Sequence, residues 1–188
     1  MTEDTLQSIR HVSGKPRRKG PTLDLAQRLD ALEQIEEIKK LKHGYWRACD
    51  AKDPVGFRNS FIRSGASIDY GRLGAFDDAG PMADIFEKIA LRKVDGRYAV
   101  LDMHHGLHPD ITLTSETSAV GGRWALQFRQ IDTVGRTEKL MTGEYDDKYV
   151  IEDGMWKMSQ CHFTETWSIT TPLSPDADIA EGSLGGPR

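Results

Sequence analysis

Near Gly96 the apolar residues of this 188-residue chain change period. Before it, Leu25, Leu29, Leu32, Ile35, Ile38, Leu41, Tyr45 and Ala48 recur at spacings of three and four, one stripe along a long helix. Asp30 and Glu33 suit a capping box if the helix starts there, and a start nearer Thr22 also fits. Asp53-Pro54 ends the helix near Lys52 and opens a short second one, with Phe57 and Phe61 on its apolar face. Residues 66–70 read as a short strand. Gly80-Pro81 opens a third helix that buries Met82, Ile85, Phe86 and Ile89. After Gly96 come four long extended runs, over residues 98–113, 118–131, 139–152 and 155–169. The first has room for a bend between Gly106 and Pro109, and Glu152-Asp153-Gly154 marks the last hairpin. Helices first and a meander of strands afterwards predict an α+β fold, not a parallel α/β sheet.

The termini set the domain limits. Residues 1–21 carry Lys15, Arg17, Arg18 and Lys19 among glycines and prolines, with little to pack, and read as a disordered, solvated tail. Residues 22–171 form the domain. Residues 172–188, with three glycines and three prolines, read as a flexible tail or an arm laid over a neighbour. The formal net charge of -4 gives no pull toward nucleic acid or an anionic membrane. The longest apolar run is too short to span a bilayer, and the N-terminus has no secretory h-region. Cys49 and Cys161 are too few for a disulfide framework, so a reducing, cytoplasmic setting is expected.

Three stretches carry a resemblance. The first helix ends Tyr45-Trp46-Arg47-Ala48-Cys49-Asp50-Ala51-Lys52-Asp53. The first long strand holds Met103-His104-His105-Gly106-Leu107-His108-Pro109-Asp110-Ile111. The last hairpin holds Tyr145-Asp146-Asp147-Lys148-Tyr149 and Gly154-Met155-Trp156-Lys157-Met158. Their order and spacing over residues 30–169 resemble the SnoaL-like branch of the nuclear transport factor 2-like superfamily. That branch includes scytalone dehydratase, a bile-acid dehydratase, a hexachlorocyclohexane dehydrochlorinase and deformylating lyases of lignin-type diaryl diols. The resemblance implies a cone-shaped α+β barrel, with N-terminal helices on a curved antiparallel sheet, enclosing a small-molecule pocket without a cofactor. It also implies self-assembly, with a trimer favoured over a dimer.

The same resemblance suggests which residues act. Asp50 matches the aspartate that holds a catalytic histidine, and His104 matches that histidine. A neutral imidazole with one nitrogen bonded to a carboxylate keeps the other free to take a proton. Strand alternation leaves a choice, because it puts His105 with Leu101, Met103 and Leu107 on the more apolar face, and His104 with Asp102 and His108. The offset from His108-Pro109 favours His104, with His105 the runner-up. Tyr45, offset from Asp50 by about 140° on a helix, matches a tyrosine that bonds a substrate oxygen or assists a leaving hydroxyl. Tyr70 matches a second such tyrosine. His105, His108, Trp124, Phe128, Arg129 and His162 are the further substrate-binding candidates. Gln160-Cys161-His162 stands where many relatives carry a final-strand arginine. A metal reading of His104, His105, His108 and Asp110 is poor, because strand residues four apart lie about 13 Å from each other.

These expectations converge on a cofactor-independent lyase for a small hydroxylated aromatic or alicyclic substrate. Loss of water and loss of formaldehyde both fit, and an isomerase with the same dyad is possible. Two other readings stay open on the fold alone: a non-catalytic binding module, or a β-type subunit of an aromatic-ring oxygenase.

Overall fold

The computed structural model describes residues 23–182; the basic cluster of residues 15–19 lies outside them. Helix α1 runs Leu25–Asp50. Its cap is Asp24, which accepts from the Gln27 N–H while the Gln27 side chain accepts from the Asp24 N–H. The capping box therefore sits one turn and a half before the Asp30–Glu33 alternative. Leu25, Leu29 and Leu32 on the expected stripe stay exposed, and burial begins in earnest at Ile38. Helix α2 (Pro54–Asn59) is capped by the Asp53 carboxylate with Pro54 at its first position, as the sequence predicts. Helix α3 is Ala79–Ala90 with Asp78 as its cap, and Gly80-Pro81 falls inside its first turn.

Short strands β1 (Ser67–Asp69) and β2 (Ala75–Phe76) flank a 3-10 turn, Gly71–Leu73. A small separate hairpin pairs β3 (Lys93–Val94) with β4 (Arg97–Tyr98). The long strands are β5 (Val100–Ser115), β6 (Ser118–Asp132), β7 (Thr137–Glu152) and β8 (Met155–Pro172). With β1 and β2 they form a six-stranded sheet in the order β2-β1-β8-β7-β6-β5, antiparallel except where β1 runs parallel to β8. The helices pack into the concave side of this curved sheet, the cone-shaped α+β architecture that the resemblance implies.

Two features tie α1 to the sheet. Gly106 lies under the Trp46 indole, where a Cβ would fall inside the ring, so the strand needs glycine for the helix to come this close. The bend expected between Gly106 and Pro109 is a β-bulge: pairing with β6 slips between Leu107 and Asp110, and His108 takes φ 51°. At the other end of the chain, β8 runs to Pro172. The following residues turn back onto the body, where the Arg136 guanidinium donates to the carbonyls of Ser174 and Ala177 at 3.0 and 2.9 Å. The Tyr98 N–H donates to Glu181 at 2.6 Å.

Candidate active site

Asp50 is the last residue of α1, where the helix dipole disfavours a carboxylate. Compensation comes from β5. The His104 backbone N–H reaches both carboxylate oxygens at 3.1 and 3.2 Å, and the His104 Nδ1 lies 2.6 Å from Oδ1. A carboxylate can only accept, so Nδ1 carries the hydrogen, and in the neutral ring Nε2 has the lone pair. The ring leans on Phe128 with centroids 4.7 Å apart. The helix end is pinned a second time. Lys52, in a left-handed conformation (φ 61°), buries its chain and bonds Asp102 at 2.6 Å, and Gln130 donates to the other Asp102 oxygen at 2.8 Å. Asp102 and His104 share the concave face of β5, so one strand anchors both contacts.

The pair stands at the wall of a cavity of about 670 Å³ between the helices and the sheet, within the range of small-molecule sites. Phe57, Phe86, Leu126, Phe128, Met141 and Phe163 make most of it apolar. Tyr45 and Tyr70 meet at its buried end with hydroxyls 2.7 Å apart. Burial pushes both phenols well above the ordinary tyrosine range, so both remain protonated. Cys49 also lines the cavity; burial raises its thiol too, leaving it a poor nucleophile.

Of the residues expected from the sequence, Tyr45, Tyr70, His104 and Phe128 line this cavity, and Asp50 holds His104 from behind. The rest do not line it. His105 is the next residue along β5 and falls on the outer face, opposite Gln127. His108 is exposed at the bulge. Trp124 is core: it packs edge-on against Trp46 and donates to the Tyr149 hydroxyl at 3.0 Å. Arg129 faces outward and pairs with Glu138 at 2.5 Å. His162 is drawn to Ser67, with Nε2 2.8 Å from Oγ. The apolar parity of Leu101, Met103 and Leu107 thus marks the outer face of the sheet; Met103 and Leu107 are both exposed. Among the described residues, no three His, Cys, Asp or Glu side chains gather as a metal site. No helix among them is long and apolar enough to cross a membrane.

Sequence reasoning missed Asp102, Lys52 and a buried pair, Lys42 with Asp147 at 2.8 Å. The last had a signal. Ile35, Ile38, Lys42, Tyr45 and Cys49 repeat three, four, three, four, which puts a lysine on the buried seam of α1. Asp147 stands between Tyr145 and Tyr149 at an inward slot of β7.

The SnoaL-like domain model matches residues 30–162, which takes in Tyr45, Asp50, Tyr70 and His104. The chain belongs to the SnoaL-like family. Its fold is shared with several solved structures. A provisionally named scytalone dehydratase from Novosphingobium aromaticivorans superposes with a TM-score of 0.67 at 19% identity, over 80% of this chain and 99% of that one. The hexachlorocyclohexane dehydrochlorinase LinA-type3 of Novosphingobium barchaimii gives 0.66 at 16% identity, over 82% and 99%. ActVI-ORFA of Streptomyces coelicolor gives 0.58 at 14% identity, over 71% and 98%. At these identities the likeness establishes the fold, and the SnoaL-like fold carries both enzymes and non-catalytic members.

Proposed function

We propose that this chain is a cofactor-independent lyase for a small hydroxylated aromatic or alicyclic molecule, with His104 as its base. One observation carries the reading: the 2.6 Å Asp50–His104 bond fixes the tautomer of a histidine whose ring lines a largely apolar cavity. In a dehydration, Nε2 takes a proton from carbon, the C–H electron pair becomes the new double bond, and the imidazolium returns its proton to the departing hydroxyl. In a deformylation, Nε2 takes a hydroxyl proton, the carbon–carbon bond breaks, formaldehyde leaves, and the carbanion regains the proton. Both begin with the same base, and the paired hydroxyls of Tyr45 and Tyr70 hold an oxygen-bearing group of the substrate. Dehydratase and dehydrochlorinase appear in the names of relatives with the same fold, which supports elimination as the reaction class.

The outer sheet face supports a second, compatible reading. Met103 and Leu107 on β5 and Trp167 and Ile169 on β8 are all exposed there, apolar side chains of the kind that assembly covers. A homotrimer is our proposal for that cover. The alternative of a non-catalytic module would use this face for a different protein.

The test is a cofactor-free screen of wild type and His104→Ala against hydroxylated aromatic and alicyclic compounds, read by mass spectrometry. Loss of water or formaldehyde with wild type, reduced about 10²–10⁴-fold in the variant, is the expected result. Turnover unchanged by His104→Ala would sink the base assignment.

A further inference from the structure

Behind the tyrosine end of the cavity lies a group that the proposed chemistry does not use. Lys42 is fully buried, one turn before Tyr45 on α1. Its ammonium sits 2.8 Å from Asp147 Oδ2, 3.5 Å from the Cys161 sulfur, and 3.6 Å above the Tyr145 ring. Tyr149 donates to the same carboxylate oxygen at 2.7 Å, and Trp124 donates to Tyr149. Asp147 Oδ1 has no hydrogen-bond partner.

The direction of the hydrogens follows from these neighbours. Burial pushes the Asp147 carboxyl up, and the Lys42 ammonium and Tyr149 hydroxyl, which both donate to it, oppose that shift and make its Oδ2 the acceptor of the cluster. Cys161 keeps its hydrogen, since burial pushes the thiol up to about 12, and its sulfur accepts from the Lys42 ammonium. Tyr70 donates to the Cys161 sulfur at 3.4 Å. With the Tyr70 hydrogen committed to sulfur, the hydrogen shared at 2.7 Å between the two hydroxyls is the one from Tyr45. The chain runs Tyr45 to Tyr70 to the Cys161 sulfur, which also accepts from the Lys42 that Asp147 holds, and it leaves the Tyr45 oxygen, at the cavity lining, able to accept a further hydrogen.

We infer that Lys42 and Asp147 are a positioning pair that, through Cys161, orients the Tyr70 and Tyr45 hydroxyls so that the buried end of the cavity accepts a hydroxyl hydrogen from its ligand. The favoured ligand end is therefore a ring hydroxyl, in preference to the corresponding ether or carbonyl. This reverses the donor role that the resemblance implies for Tyr45. It rests on the cavity being the ligand site, as in the reading above, but not on turnover.

The experiment is calorimetric binding of 2-naphthol and 2-methoxynaphthalene to four variants beside wild type. Wild type should prefer the naphthol by about tenfold, the worth of one net hydrogen bond. Cys161→Ala should bring the ratio close to one, and Cys161→Ser, which again accepts and donates, should restore it. The charge-free Lys42→Met/Asp147→Leu double variant should lose the preference as well, which covers the case of a poorly folding Cys161→Ala. His104→Ala should keep the preference, so failure of the catalytic reading leaves this result standing. A ratio unchanged in both Cys161→Ala and the double variant would overturn the inference. So would wild type preferring the ether, or binding neither compound.

Discussion

Two aspartates of this molecule each hold a nitrogen base at hydrogen-bond distance, and they sit in opposite surroundings. Asp50 with His104 lies at a cavity wall, with side chains 30% and 14% exposed; Asp147 with Lys42 is wholly sealed. Both cations, when charged, would satisfy the carboxylate equally well. What differs is what is left over. His104 keeps a free nitrogen toward the cavity, whereas Lys42 has every neighbour it needs inside the protein. An accessible remainder suits chemistry, and a sealed one can only orient or stabilise. A sealed ion pair is also a poor source of stability, because desolvation consumes most of the attraction, although removing one partner is costly.

The strongest test of that contrast exchanges the effects. Lys42→Met alone should lower unfolding free energy by about 3–5 kcal/mol, since it strands the Asp147 carboxylate, and Lys42→Met/Asp147→Leu should recover most of it. Asp50→Asn should change stability by only about 1 kcal/mol yet cut turnover by about 10²-fold or more, because an amide no longer fixes the His104 tautomer. Denaturant titration and turnover on the same four proteins check both halves. Should Asp50→Asn destabilise as much as Lys42→Met, the distinction between the two pairs collapses.

How far the sequence revealed these pairs depends on which one is considered. Asp50 and His104 were legible because a matched pattern at the end of one helix and in the middle of one strand named them together. Alternation alone could not choose His104 over His105, since it assumes that the more apolar face turns inward. Here Met103 and Leu107 face out, and the concave face carries Asp102, His104 and Gly106. The order of elements was legible from the change of period, while the cap of α1 was not: Asp24 and Asp30 each have a suitable residue three places on. Lys42 and Asp147 occupied regular apolar slots in plain view. Each looked like an interruption of its own pattern, because the partner that justifies it lies on an element far away in the chain. Trp124 and Arg129 show the reverse error, in which residue types suited to a pocket were used for core packing and for an outer salt bridge.

The sealed region also predicts a pH response of its own. Burial, first among the causes, holds Tyr45, Tyr70, Tyr145 and Tyr149 well above their ordinary value of 10.0. The folded protein keeps these protons while the unfolded chain releases them above that value. Stability present below about pH 10 is therefore lost as pH rises, by as much as ~1.4 kcal/mol per pH unit for each group. Tyrosinate absorbance should appear together with loss of the circular dichroism of the fold. Absorbance rising well before unfolding would mean that the tyrosine end is open to solvent and not set apart from the Asp50 wall.

The mildest expected effect comes from the far end of the helix that carries Lys42, Tyr45 and Asp50. Asp24→Ala removes the carboxylate that accepts from the Gln27 N–H, leaving the backbone N–H of residue 24 to donate to Gln27, and should cost about 1 kcal/mol. The first turns of α1 are exposed, whereas its last turns are fixed by Trp46 over Gly106, by Asp50 on His104 and by Lys52 on Asp102. Those contacts do not pass through the N-terminus, so turnover and the naphthol preference should be unchanged. A loss of either in Asp24→Ala, at equal folded fraction, would show that the site depends on the register of the entire helix. The two aspartate pairs would then have to be treated as one coupled unit, joined by the seven residues of α1 between Lys42 and Asp50.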